Sequence, residues 1–158
     1  MRIGFASDIH RLVNGRKLIL AGVVIPAPFG ELAHSDGDVV YHAVAEAILG
    51  ALALGDLGTH FPDSDNQYKD MDSSLIVTKI IKLTKDKGYI VNNIDVSITL
   101  EKPKLKDYIS EMRKNLAHFL EMDYDNVSVK AGTNEGLDAL GRGEAVKAEA
   151  IVLLKEKQ

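Results

Sequence analysis

Five histidines and no cysteine occur in a chain of 158 residues, so any transition-metal site must be built from imidazole and carboxylate groups. Asp8 and His10 lie two residues apart, a spacing that puts both side chains on one face of an extended segment. Alone, the pair also fits a solvated turn after a strand. The run His34-Ser35-Asp36-Gly37-Asp38 follows, with His42 four residues after Asp38 and Glu46 four after His42. On a helix Asp38, His42 and Glu46 share a face, and a carboxylate one turn from a histidine can orient a metal-bound ring. A histidine satisfied within a mostly buried helix would give the same pattern. Together Asp8, His10 and His42 supply two imidazoles and one carboxylate. That set suits tetrahedral zinc with the fourth position open, the mark of a catalytic rather than a structural site. Spacing does not show that the three converge. In the third constellation, Lys130 to Glu135 followed by Gly141-Arg142-Gly143-Glu144, Thr133 offers a hydroxyl. Glu135 is a hard oxygen ligand for magnesium or manganese, and Arg142 is a bidentate donor to phosphate. Its glycines would let backbone amides approach an anion. A surface loop with an ordinary charge pair fits those residues too.

The elements that must position these groups are legible from periodicity. Residues 2–6, 18–20 and 23–25 read as short strands, the last ended by Pro26. Ser35 precedes Asp38 in a capping-box-like spacing, and an Ala- and Leu-rich helix is predicted from Asp38 to about Leu54, stopped by Gly55. Residues 58–72, rich in Asp and poor in aliphatic side chains, read as an exposed loop that could act as a lid. Ser73 is the expected cap of a second helix, with Leu75, Ile76, Ile80 and Leu83 in one stripe and Gly88 at its end. Ile94, Val96, Ile98 and Leu100 alternate with polar residues, as in a half-buried strand. A third helix follows from Tyr108 to Leu120, then a strand at 127–131 and a loop at 132–143. Residues 145–154 carry alanines that suit a helix and an Ile-Val pair that suits a strand; a strand is the reading adopted.

Composition narrows the function. A hydrophobic fraction of 46% in 158 residues can bury a core of its own, so residues 1–158 are expected to form one catalytic domain. The net charge of -4 argues against a general nucleic-acid binder, so a phosphate site must be locally basic. The chain reaches Asp8 before any apolar run long enough for a signal sequence, and no later stretch has membrane-spanning length. A soluble, cytoplasmic protein with no membrane partner is the expectation, and the lack of cysteine fits a reducing compartment.

The three clusters in this order resemble the 2-C-methyl-D-erythritol 2,4-cyclodiphosphate synthase family over essentially the whole chain. The resemblance is carried by Ala33 to Asp38 with His42, by Gly55-Asp56-Leu57-Gly58, and by Phe61-Pro62-Asp63-Ser64-Asp65. It implies that Asp8, His10 and His42 bind one zinc per chain. It makes His34 and Thr133 the pair that polarises the phosphates, and Glu135 the ligand of a second divalent ion, magnesium or manganese. Asp56, Leu57, Gly58 and Phe61, Pro62, Asp63, Ser64, Asp65 would hold the methylerythritol part. Leu100, Glu101, Lys102, Pro103, Lys104, Leu105 and Lys106 would hold cytidine, with Ser35, Gly132, Asn134 and Arg142 as further substrate contacts. The implied fold is α+β, a mixed sheet with helices on one face. Its sheets would pack around the three-fold axis of a homotrimer whose active sites lie between chains. The implied reaction cyclises 4-diphosphocytidyl-2-C-methyl-D-erythritol 2-phosphate and releases CMP, in the non-mevalonate route to isoprenoids. A zinc-dependent phosphohydrolase and a binding protein for isoprenoid phosphates are the competing readings. The chain departs from the family pattern at Ala6, Ser7, Gly132, Asn134, Asp138 and Ala139. Relatives place aromatic rings at the positions of Ser7 and Ala139 around an axial cavity that Arg142 faces. A chain without those rings is expected to hold a small anion there and long isoprenoid diphosphates poorly.

Overall fold

The computed structural model describes residues 1–62 and 71–157. Five strands form one mixed sheet in the order β4-β1-β7-β5-β6: β1 (Arg2–Asn14), β4 (Phe29–Leu32), β5 (Tyr89–Thr99), β6 (Val127–Gly132) and β7 (Ala145–Glu156). Only β5 and β6 run parallel; β1 is antiparallel to both β4 and β7, and β5 to β7. A two-stranded ribbon, β2 (Leu18–Leu20) and β3 (Val23–Ile25), stands beside it. Residues 145–154 are thus a strand, and the alternation read at Ile94, Val96 and Ile98 is the buried face of β5.

Three long helices cover one face of the sheet: α1 (Val39–Ala51), α3 (Ser73–Asp86) and α4 (Ile109–Leu120). Nearly all the buried apolar residues of strands and helices form one cluster. Alpha-1 lies directly over β1 and β7. Its small residues Ala43, Ala45 and Ala47 are fully buried. Gly4 explains how close the approach is: a Cβ there would stand 1.9 Å from the Ala47 carbonyl oxygen, so only glycine fits beneath the helix. Among the described residues of the single chain, nothing covers the opposite face of the sheet. Ile3, Phe5 and Ile9 of β1 and Ile151 of β7 are large exposed apolar residues on it.

Several boundaries differ from the sequence reading. Beta-1 continues past residue 6 to Asn14, so Asp8 and His10 lie inside a strand. Beta-4 was not anticipated; its four residues are too few to show a period. The N-cap of α1 is Asp38, not Ser35, because the Asp38 carboxylate accepts the Val40 and Tyr41 amides. Alpha-3 is capped by Asp72 rather than Ser73, which is its first helical residue. Two short helical segments, α2 (Leu57–His60) and α5 (Asp138–Gly141), stand where loops were expected. The remainder of the expected lid, residues 63–70, lies outside the described residues. Among the described residues no helix is long and apolar enough to cross a membrane.

Candidate metal and phosphate site

The alternation of β1 turns Gly4, Ala6, Asp8 and His10 toward α1, while Ile3, Phe5 and Ile9 face away. His42 sits in the first turn of α1, and the close contact at Gly4 brings that turn over the strand. Asp8, His10 and His42 consequently meet, with one potential ligand atom from each lying within 4.8 Å of the others. Asp8 Oδ2 is 3.1 Å from His10 Nε2 and 3.4 Å from His42 Nδ1, and the two rings stand edge to face, 5.1 Å apart. The rear of each ring is held. His10 Nδ1 lies 2.7 Å from the Gly37 carbonyl, which can only accept, so Nδ1 carries a proton and Nε2 is the atom that meets Asp8, donating to it when protonated and open to a metal when not. His42 Nε2 lies 3.1 Å from Ser35 Oγ and 3.0 Å from Ser73 Oγ.

The electrostatics match a cation-binding site. Burial alone would lower the pKa of His10, but the Asp8 and Glu31 carboxylates beside it outweigh that and raise the value to about 10. Burial likewise opposes ionisation of Asp8, yet bonds to the two histidines hold its carboxyl well below the usual range. Two carboxylates behind the ligands are more strained. Glu31 and Asp38 are both fully buried, and desolvation pushes each up to about 7. Glu31 Oε1 accepts the Val39 amide at 3.1 Å and lies 3.7 Å from His10 Nδ1. Its Oε2 makes no hydrogen bond of ordinary geometry among the described residues. Gly37 is required here, with φ +89° and a virtual Cβ only 2.8 Å from the Glu31 Cβ.

Asp38 does not orient His42. Its carboxylate is occupied by the amides of Ala21, Gly22, Val40 and Tyr41, so it fastens α1 to the β2–β3 turn. The ring of His42 is instead held by the hydroxyls of Ser35 and Ser73. Glu46 does face the same cavity, and desolvation is the chief cause of its raised pKa.

That cavity, about 310 Å³, is lined by Asp8, His10, His34, Ser35, His42, Glu46, Leu57, Gly58 and Phe61 among others. His34 Nε2 is buried with no hydrogen-bond partner among the described residues. Asp56 caps α2, accepting the amide and hydroxyl of Thr59 through Oδ1, and neither it nor exposed Pro62 lines the cavity. Asp63, Ser64 and Asp65 lie outside the described residues.

The remaining candidates gather elsewhere. Leu100, Glu101, Pro103, Lys104, Leu105, Lys106, Gly132 and Thr133 line a second cavity of about 430 Å³ at the β5–β6 end of the sheet. Lys102 is exposed beside it. The cavity shares no lining residue with the metal cavity. Glu101 Oε2 accepts the Asn134 amide at 3.1 Å, and the Asn134 side chain donates to the Leu137 carbonyl at 2.9 Å. These bonds hold the chain around Thr133 and Glu135, whose side chains are exposed and 3.3 Å apart. Arg142 is already paired with Glu144, at 2.7 and 3.4 Å. Sequence reasoning missed Glu31, Asp36 and Ser73. Asp36 lies inside the quoted cluster, but nothing local marks the other two.

A family model described as the YgbB family matches residues 1–155. The 2-C-methyl-D-erythritol 2,4-cyclodiphosphate synthase of Brachyspira hyodysenteriae is 49% identical over 99% of this chain and 99% of its own length. A solved 2C-methyl-D-erythritol-2,4-cyclodiphosphate synthase superposes with a TM-score of 0.91 at 37% identity, covering 98% of this chain and 100% of that one. The bifunctional IspDF from Campylobacter jejuni superposes with a TM-score of 0.94 at 39% identity, and this chain spans 42% of its length.

Proposed function

The chain belongs to the YgbB family, from which we infer that it is a cyclodiphosphate synthase. It converts 4-diphosphocytidyl-2-C-methyl-D-erythritol 2-phosphate into 2-C-methyl-D-erythritol 2,4-cyclodiphosphate and CMP, in the non-mevalonate route to isoprenoid precursors. The observation that carries this reading to particular residues is the convergence of Asp8, His10 and His42 beside His34, Leu57 and Gly58 in one cavity.

Two imidazoles and a carboxylate within 4.8 Å, each ring fixed from behind, suit tetrahedral zinc with one position left for substrate oxygen. Zinc bound there would supply Lewis-acid polarisation of a phosphoryl oxygen. The chain's own groups do the rest. His34 and Thr133 donate to non-bridging phosphate oxygens, and Glu135 offers a carboxylate to a magnesium or manganese ion carried with the diphosphate. Leu57, Gly58 and Phe61 line the space for the methylerythritol part, to which Asp56 and Asp63 to Asp65 are also assigned. Residues 100–106, with Gly132 and Asn134, take the cytidine end. The substrate's 2-phosphate oxygen attacks the β-phosphorus; that P–O bond forms as the bond to the CMP oxygen breaks. The nucleophile is already an anion, so catalysis reduces to alignment and charge neutralisation. This makes the protein a phosphorus–oxygen lyase.

The reaction needs both cavities, yet they share no residue within one chain. A cytoplasmic homotrimer in which each active site joins the metal cavity of one single-domain chain to the cytidine cavity of the next resolves this. The uncovered sheet face with Ile3, Phe5, Ile9 and Ile151 supports it as the surface buried around the three-fold axis. Mass spectrometry of the products, with and without chelator, tests the function. A cyclic diphosphate and CMP in equal amounts, lost on metal removal, are expected. A linear phosphate product would mean that water attacks instead and would overturn the cyclase reading.

A further inference from the structure

His10 and His42 are held by different devices. Behind His10 stands a carbonyl, which fixes the tautomer unaided. Behind His42 stand two hydroxyls, each able to donate or to accept, so contact alone leaves its tautomer open. Ser35 does not close the question: its oxygen accepts the Gly37 amide at 3.2 Å and keeps a proton it could give to Nε2. Ser73 does, because of what lies behind it. Its hydroxyl meets Asp36 Oδ1, and that carboxylate also accepts the Ser73 amide at 3.1 Å and the Asp38 amide at 3.1 Å. An ionised carboxylate can only accept. The Ser73 proton therefore goes to Asp36, its oxygen must accept from His42, and Nε2 must carry the hydrogen. Nδ1, 3.4 Å from Asp8 Oδ2, is left as the atom that would give its lone pair to a metal.

We propose that Ser73 and Asp36 form a two-step relay that sets the tautomer of His42 and so makes it a zinc ligand through Nδ1. Ser73 is fully buried and is the first residue of α3, while Asp36 also donates its own amide to the Met71 carbonyl at 3.0 Å. The relay thus latches the start of α3, just after the segment assigned to the methylerythritol part, onto the loop that leads into α1. Both are positioning residues; neither touches the metal. The inference rests on the reading of Asp8, His10 and His42 as zinc ligands.

Zinc affinity measured by chelator competition, together with long-range proton–nitrogen NMR of the zinc-loaded protein, tests it. In the parent protein His42 should show a slowly exchanging Nε2–H. Ser73→Ala should expose that proton to exchange and weaken zinc binding about 10- to 100-fold, and Ser73→Thr, which keeps the hydroxyl, should restore both. Asp36→Asn should weaken binding, and adding it to Ser73→Ala should cost nothing further, because the two act as one unit. Parent affinity in Ser73→Ala with the Nε2–H signal unchanged overturns the relay while leaving the metal site intact. So does a loss that Ser73→Thr does not restore and that leaves the Nε2–H in place, the signature of packing alone. A parent chain that binds no zinc overturns the metal reading itself and this inference with it.

Discussion

Glu31 is fully buried behind His10 without being a ligand itself, so its charge should carry a cost that unfolding can read. Glu31→Gln keeps an oxygen for the Val39 amide and removes the charge. Burial, opposed by the nearby His10 ring, raises the Glu31 pKa from 4.5 to about 7. A group whose pKa is raised on folding contributes stability that is present below its unfolded value and lost as pH rises through the folded one. The loss therefore falls between pH 4.5 and about 7. At 1.36 kcal/mol per pH unit, the metal-free parent at pH 8 is about 3 kcal/mol less stable than it would be with a neutral side chain there. At pH 5 the difference shrinks to about 1 kcal/mol or less. Denaturant unfolding of chelator-treated protein at fixed concentration should find Glu31→Gln more stable than the parent at pH 8 and nearly equal at pH 5. Zinc reverses the ranking, since the dication is then balanced by one carboxylate fewer. A variant that is less stable than the parent at pH 8, or a stability difference independent of pH, would refute the reasoning.

Because the Asp8 and Glu31 carboxylates overcome burial and raise His10 to about 10, its ring is protonated at neutral pH without metal, and zinc must displace that proton. Calorimetry in buffers of different ionisation enthalpy should read about one proton released at pH 7, with affinity rising about tenfold per pH unit up to about pH 10; a pH-independent affinity contradicts this. If each site joins two chains, mixing equal amounts of His42→Ala and Thr133→Val subunits should restore about a quarter of parental activity after dissociation and reassembly, whereas a site held within one chain would stay inactive. Phe5→Glu places a charge on the uncovered sheet face, where Phe5 is 61% exposed in the single chain; sedimentation should show monomers that still bind zinc but do not turn over, and a trimer of undiminished activity would exclude that face as the interface. With Arg142 already paired to Glu144 and no ring at Ser7 or Ala139, calorimetric titration should find farnesyl diphosphate bound no more tightly than inorganic diphosphate; clearly tighter farnesyl binding would show that Phe5 or Leu140 encloses the tail.

Much of this protein was legible without coordinates. Alternation at Ile94, Val96 and Ile98, the apolar stripe of α3, and the same-face spacing of Asp8 and His10 are local signals that depend only on the period of the backbone. Ligand chemistry was equally legible, because a chain without cysteine leaves zinc few donors. What the sequence left open was every partnership between distant segments. Asp38 looked like a support for His42 because both share a helix face, but the helix end leaves its first amides unpaired, and Asp38 is the carboxylate placed to accept them. Glu31 and Ser73 carry no local signature; the first belongs to a strand too short to show a period, and the second was read only as a cap. They became part of the site when β4 paired with β1 and α3 packed against α1. The meeting of Asp8 and His10 with His42 likewise depends on Gly4 admitting α1 onto the strand, a contact between backbones more than forty residues apart. The sequence by itself determined the longer elements and the donor atoms, since both follow from short-range periodicity and side-chain chemistry. Only the tertiary structure decided which donors meet and what stands behind them, because those contacts arise from packing between segments whose separation along the chain no local pattern records.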